Sequence, residues 1–192
     1  MRMPEPGGQI LIDDQDIQDL SLPIYRLRIS LIPQDPILFT GPLRLNLDPG
    51  KEFEDVQIWN ALEAVQLKSL IQEQNGKLYC KISEGGTSFS VGEKQLLCLA
   101  RALLEKNKVI ILDEATANVD FATDRLIQET IRSRFRSCTV ITIAHRVDTI
   151  LDYDRVLVFE EGRVVEFDKP KMLLKNDAGK FIELRRLQQV SI

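Results

Sequence analysis

Val109-Ile110-Ile111-Leu112-Asp113-Glu114 is an unbroken apolar run that ends on two adjacent carboxylates. Branched apolar residues without polar alternation suit a strand buried on both faces of a parallel sheet, and ligands gather beyond the carboxyl ends of such strands. The run therefore predicts an α/β fold with Asp113 and Glu114 at the lip of a crevice. Just upstream, Ser90-Val91-Gly92-Glu93-Lys94-Gln95 opens a helix. On it Leu96, Leu99, Ala100, Leu103 and Leu104 recur on one face, which should pack against the sheet. Downstream, residues 139–144 form a second apolar strand that delivers His145, the sole histidine. Residues 122–135 between the two strands are amphipathic, which gives a β-α-β alternation.

Further out, residues 9–12 and 29–32 read as short strands. The second is closed by Pro33, so Gln34 is presented at a strand end. Prolines and glycines mark residues 35–51 as a loop. Behind the acidic start at residues 52–55, Ile58, Leu62 and Val65 recur at helical spacing and open a helical insertion that runs to Ser90. Residues 156–159 and 163–167 flank Glu160-Glu161-Gly162 and read as a hairpin, after which helices close the chain. With no repeat or flexible linker, 192 residues at 44% hydrophobic content make one working α/β unit.

A net charge of −4 with 28% charged residues argues against a broad phosphate-backbone-binding surface and so against nucleic acid as the main partner. Cys80, Cys98 and Cys138 are odd in number and lack the spacing of a zinc site or a disulfide framework, which fits a reducing, cytosolic setting. No apolar run approaches the roughly 20 residues that cross a bilayer, and the first residues lack a signal-peptide core. Membrane association is expected through a partner. Asp13-Asp14-Gln15-Asp16 lacks the glycine and the closing glutamate of a calcium loop and reads as a solvated turn. Arg132, Arg134 and Arg136 sit where cations complement a helix C-terminus. Cys138 and His145 cannot form a nucleophile and base, because a strand rising about 3.3 Å per residue holds them roughly 20 Å apart.

Carboxylates at a strand end can hold magnesium with one residue, Asp113, and orient a water with the other, Glu114. An isolated Asp-Glu pair reads more readily as a cap for the next helix. Ser90 and Glu93 have capping-box spacing, and the same helix tip, with its serine hydroxyl and close-approach glycine Gly92, suits a phosphate. His145 taken alone reads more often as a structural strand-end histidine than as a functional one.

Order and spacing change the weight of these signals. Phe89-Ser90-Val91-Gly92-Glu93, then Leu112-Asp113-Glu114-Ala115-Thr116-Ala117-Asn118-Val119-Asp120, then Ile143-Ala144-His145-Arg146 resemble an ATP-binding cassette (ABC) ATPase. Leu31-Ile32-Pro33-Gln34-Asp35-Pro36 resembles that family's Q-loop, and residues 115–120 its D-loop. The resemblance implies an α/β P-loop NTPase of RecA-like fold, here a partial nucleotide-binding domain over residues 1–192. A helical subdomain at about 35–90 would lead into the signature helix, and 91–192 would carry the Walker B, D-loop and H-loop core, a small hairpin and the C-terminal helices.

By the same resemblance Asp113 is the Walker B magnesium ligand and Glu114 the general base. Gln34 senses metal and attacking water, and His145 contacts the γ-phosphate. Ser90, Gly92, Glu93 and Asp120 act on ATP held by an opposing cassette. The implied cofactors are ATP and Mg2+. The implied partners are a second cassette, in a head-to-tail ATP sandwich, and the transmembrane domains of a transporter. The implied location is the cytoplasmic face of the plasma membrane. Within the family the chain is most similar to multidrug-resistance-associated (subfamily C) exporters. Glu114 and Asn118-Val119-Asp120 suggest their second cassette, which couples ATP hydrolysis to efflux of organic anions or conjugates. Two rivals are a non-catalytic module that lends Ser90 and Gly92 to another cassette, and a DNA-maintenance ATPase. The second would need long heptads and a basic surface, and neither is in the sequence.

The sequence contains no G-x-x-x-x-G-K-[ST] run. Asn75-Gly76-Lys77-Leu78 has no preceding glycine in register and no hydroxyl after the lysine. Arg2-Met3-Pro4-Glu5-Pro6-Gly7-Gly8 resembles the segment after a Walker A helix. The chain is thus expected to begin partway through a cassette, to leave its sheet short of an internal strand, and, alone, to bind ATP weakly and hydrolyse it negligibly. Its signature carries Phe89, Val91 and Glu93 where the family most often has leucine, glycine and glutamine, and Glu93 adds negative charge near a polyphosphate.

Overall fold

The computed structural model describes residues 8–116, 118–144 and 146–190. In chain order its elements are β1 (Leu11–Ile12), β2 (Gln15–Asp16), α1 (Leu22–Arg26), β3 (Ile29–Ile32), β4 (Gly41–Pro42), α2 (Leu43–Leu47), α3 (Asp55–Ala64), α4 (Lys68–Glu73) and β5 (Lys81–Ile82). They continue with α5 (Val91–Glu105), β6 (Val109–Asp113), α6 (Phe121–Arg134), β7 (Thr139–Ile143), β8 (Val156–Glu160), β9 (Arg163–Asp168), α7 (Pro170–Leu173) and α8 (Lys180–Val190).

β3, β6 and β7 make one parallel sheet in that order, with Ile32 opposite Leu112 and Asp113 opposite Ile143. In this register Ser30, Ile32, Ile110 and Leu112 share a face, and all four are buried on the side where α5 packs on β3 and α6 packs on α5. The opposite face is open. Leu31 is 60% exposed, Ile141 50% and Ile143 52%. The expected burial of the Val109 strand on both faces is therefore corrected: Ile110 and Leu112 are buried, whereas Val109 and Ile111 are only partly covered. The reason is that α5 and α6 lie on one side. Among the described residues β7 is an edge strand, and β8 pairs with β9.

α5 departs from the expected one-sided amphipathic helix. Gln95, Leu96, Leu97, Cys98, Leu99 and Ala100 are buried in succession because α3, β3 and α6 surround the helix. Each fully buried leucine there contributes about 1.5–3 kcal/mol. The expected loop at residues 35–51 also contains structure: β4 pairs with β5, and α2 buries Leu43 and Leu47 one turn apart. α3 forms as predicted. Glu54 and Gln57 make a capping box, and Ile58, Ala61 and Leu62 are buried.

The C-terminal hairpin turns through Glu161 (φ 47°) and Gly162 (φ 75°), between paired Glu160 and Arg163. Two consecutive positive φ values make a type I′ turn, whose twist matches that of the strands it joins. Asp13 and Asp14 do the same between β1 and β2, so the acidic run is a hairpin turn. Val147, Val156, Val158, Leu173 and Phe181 form a second, smaller core beneath the C-terminal hairpin.

Candidate functional site

Because β3, β6 and β7 are parallel, the chain leaves all three at one edge of the sheet. Gln34, Asp113 and Glu114 follow from there, Gln34 and Asp113 exposed and Glu114 half-buried. The fourth group expected at this edge, His145, lies outside the described residues. Glu114 adopts φ 47° while its N–H still donates to the Ile143 carbonyl at 3.0 Å. A left-handed backbone at a residue with a Cβ costs about 1–2 kcal/mol. It turns the chain out of the sheet within a single residue. Glu114 then lines a small pocket with Thr116, Gln128, Thr142, Ala144 and Arg146.

α5 runs antiparallel to β3. Glu105, at its C-terminal end, accepts from the Ser30 hydroxyl, while Gln95 reaches the carbonyls just after β3. The N-terminal tip of α5 therefore projects beyond the edge where Asp113 and Glu114 emerge. The predicted capping box is present: Glu93 N–H donates to Ser90 Oγ at 3.2 Å, and Ser90 N–H donates to Glu93 Oε2 at 2.7 Å. Ser90 remains exposed.

Gly92 also has a packing role. It is buried, and a Cβ there would lie 2.8 Å from Thr123 Cγ2 and 3.1 Å from Thr123 Oγ1. Its missing side chain lets the tips of α5 and α6 touch, so close helix packing already accounts for a glycine here. Thr123 also ties in Asp120. The Asp120 carboxylate accepts from the Thr123 hydroxyl at 2.7 Å and from the Ala122 and Thr123 amides at 3.0 Å. These bonds, led by the Thr123 hydroxyl, hold its pKa below the usual carboxylate value. Ser90, Gly92, Glu93 and Asp120 thus sit on two helix tips that share one contact.

Among the described residues no group of three metal-binding side chains is present. Magnesium is usually held by one or two protein oxygens together with substrate phosphates and water. The exposed oxygens of Asp113 and Gln34 fit an ion that arrives with a nucleotide.

Three residues went unnoticed in the sequence. Gln95, 2% exposed, donates through Nε2 to the Pro33 carbonyl at 2.9 Å and the Gln34 carbonyl at 2.8 Å. Arg101 donates to the carbonyls of Asn46 (2.6 Å) and Ile37 (3.0 Å) and to Asn46 Oδ1 (3.2 Å). Asn46, also 2% exposed, closes a two-bond ring with the backbone of Phe39, each bond 2.8 Å. The available signal was a pair of polar residues bracketing a helix run that is otherwise apolar.

Comparisons with known proteins address the family and the fold. The family model described as ABC transporter matches residues 1–117. The probable multidrug resistance-associated protein lethal(2)03659 of Drosophila melanogaster is 52% identical over 95% of the chain, which spans 13% of that protein. ATP-binding cassette sub-family C member 4 of Homo sapiens is 50% identical over 95% of the chain, here spanning 14% of the relative. A bacterial Atm1-family ABC exporter, solved with ATP bound, superposes with a TM-score of 0.88 at 31% identity, covering 96% of this chain and 32% of its own. No helix among the described residues is long and apolar enough to cross a membrane. The fold, the order of the motifs and the match over residues 1–117 agree, and this chain belongs to the ABC transporter family.

Proposed function

We propose that this chain is a partial nucleotide-binding domain, residues 1–192, from the second cassette of a multidrug-resistance-associated exporter. It hydrolyses ATP at the cytoplasmic face of the plasma membrane to drive efflux of organic anions or conjugates. The observation that carries the reading is the convergence of Gln34, Asp113 and Glu114 at one sheet edge, with the Ser90-capped tip of α5 beyond that edge.

Bound magnesium supplies positive charge to the phosphate oxygens, and Asp113 with Gln34 would hold it. Glu114 accepts the proton of the attacking water, its carboxylate set at the crevice by the left-handed turn of its own backbone. His145, two positions after Ile143 in the sequence, contacts the γ-phosphate. Ser90, Gly92, Glu93 and Asp120 face the nucleotide of an opposing cassette, so the working unit is a pair joined to transmembrane domains. The triphosphate cradle has to come from a P-loop, and none occurs in these 192 residues.

The test is made in a complete exporter carrying this chain. Glu114→Gln is expected to lower ATP turnover about 100-fold or more while ATP is still bound, as loss of a general base does. Unchanged turnover ends the hydrolytic reading. If Ser90→Ala abolishes turnover in that case, the second reading takes its place, in which the cassette only lends its helix tip. The preformed Ser90 cap favours that alternative.

A further inference from the structure

We infer that Gln95 is a positioning residue for Gln34, so that the tip of α5 and the Q-loop move as one body; this rests on the reading of Gln34 given above. Gln95 is nine-tenths buried and better, and both hydrogens of its amide are spent on two consecutive carbonyls, those of Pro33 and Gln34. Only the NH2 end can donate twice, so the amide orientation is fixed by its partners. Its Oε1 is buried with no hydrogen-bond partner, a cost that an apolar residue would avoid. What a glutamine adds here is therefore the pair of bonds to the segment that leaves β3.

That segment has few other restraints at this point. Pro33 has no N–H to give, and Gln34 is exposed at the site edge. Arg101 and Asn46 hold the same segment further along, at Ile37 and Phe39. All these holds lead back to α5. Gln95 lies five residues from Ser90, about 7.5 Å along a helix. One rigid helix thus carries both the tip that meets an opposing cassette's nucleotide and the anchor of the residue that serves its own. Displacement of the tip is passed to Gln34 through two hydrogen bonds.

The test uses the complete exporter carrying this chain, with Gln95→Met, which keeps the bulk and removes both donors. Turnover is expected to fall about tenfold while KM for magnesium-ATP stays within about twofold, because the bonds position a group rather than bind nucleotide. Combined with Gln34→Ala, Gln95→Met is expected to cost nothing further, since it acts only through Gln34. Additive losses, or full turnover in Gln95→Met when Gln34→Ala is impaired, overturn the inference and leave the site reading standing. Full turnover in Gln34→Ala removes both. If Gln95→Met does not accumulate, Gln95→Asn, which keeps the amide but draws it back one methylene, is judged by the same criteria.

Discussion

Two polar seams cross this molecule, and they are built differently. Gln95 and Arg101 of α5, with Asn46 of α2, two of the three 2% exposed, bind the main chain between Pro33 and Asn46. Around β7 and α6 the small C-terminal core meets the main core through outlying contacts. The Thr142 and Tyr153 hydroxyls bond at 2.8 Å, Arg132 pairs with Asp152 at 3.1 Å, and Arg146 approaches Asp124 at 3.8 Å. Buried bonds to backbone carbonyls are costly to lose, because the abandoned acceptor finds no water. Exposed ion pairs exchange protein for solvent almost evenly. The first seam makes α5 and the Q-loop a single body; the second leaves the hairpin unit a satellite with its own core.

The sharpest way to break that contrast is Arg101→Met. It strips charged donors from the carbonyls of Ile37 and Asn46, and urea unfolding should show a loss of about 3 kcal/mol. A loss below about 1 kcal/mol would make the two seams equivalent. Gly92→Ala comes next. The new Cβ meets Thr123 Cγ2 at 2.8 Å across two helix tips, so a loss of about 1–3 kcal/mol is expected by the same measurement. Adding Thr123→Ser removes that methyl but leaves the hydroxyl at 3.1 Å, and should recover part of the loss and not all.

The contrast also explains what the sequence made legible. The Val109 strand, its two carboxylates, the Ser90 capping box and α3 were readable because each rests on local pattern: an apolar run, a three-residue spacing, a helical period. Residues 35–51 were not. Pro36, Gly41, Pro42, Pro49 and Gly50 signal turns, and Leu43 with Leu47 is too short a pair to announce α2 against them. Gln95 and Arg101 were hidden for a different reason. A helix expected to bury one face assigns its polar residues to water, and only the close approach of α3, β3 and α6 turns them inward. The role of Gly92 was likewise set by a neighbour, Thr123, that lies 31 positions away in sequence, where spacing rules do not reach. Local chemistry was visible, and contacts between distant segments were not.

The smallest expected effect probes the weaker seam directly. Arg132 and Asp152 are separated by 3.1 Å, a good ion-pair distance, yet their side chains are 47% and 69% exposed. Each charge is hydrated before and after the pair forms, and ordering two side chains offsets much of the attraction, so Arg132→Gln should lower stability by less than about 0.5 kcal/mol. That change falls within the scatter of an unfolding curve. Amide hydrogen exchange is the better measurement, because it reports opening of the hairpin unit apart from global unfolding. Exchange in β8 and β9 should quicken slightly in the variant, while α5 keeps its protection. If α5 and the hairpin were to quicken together, the C-terminal unit would be part of the same cooperative body as the signature helix, and the distinction between the two seams would have no energetic content.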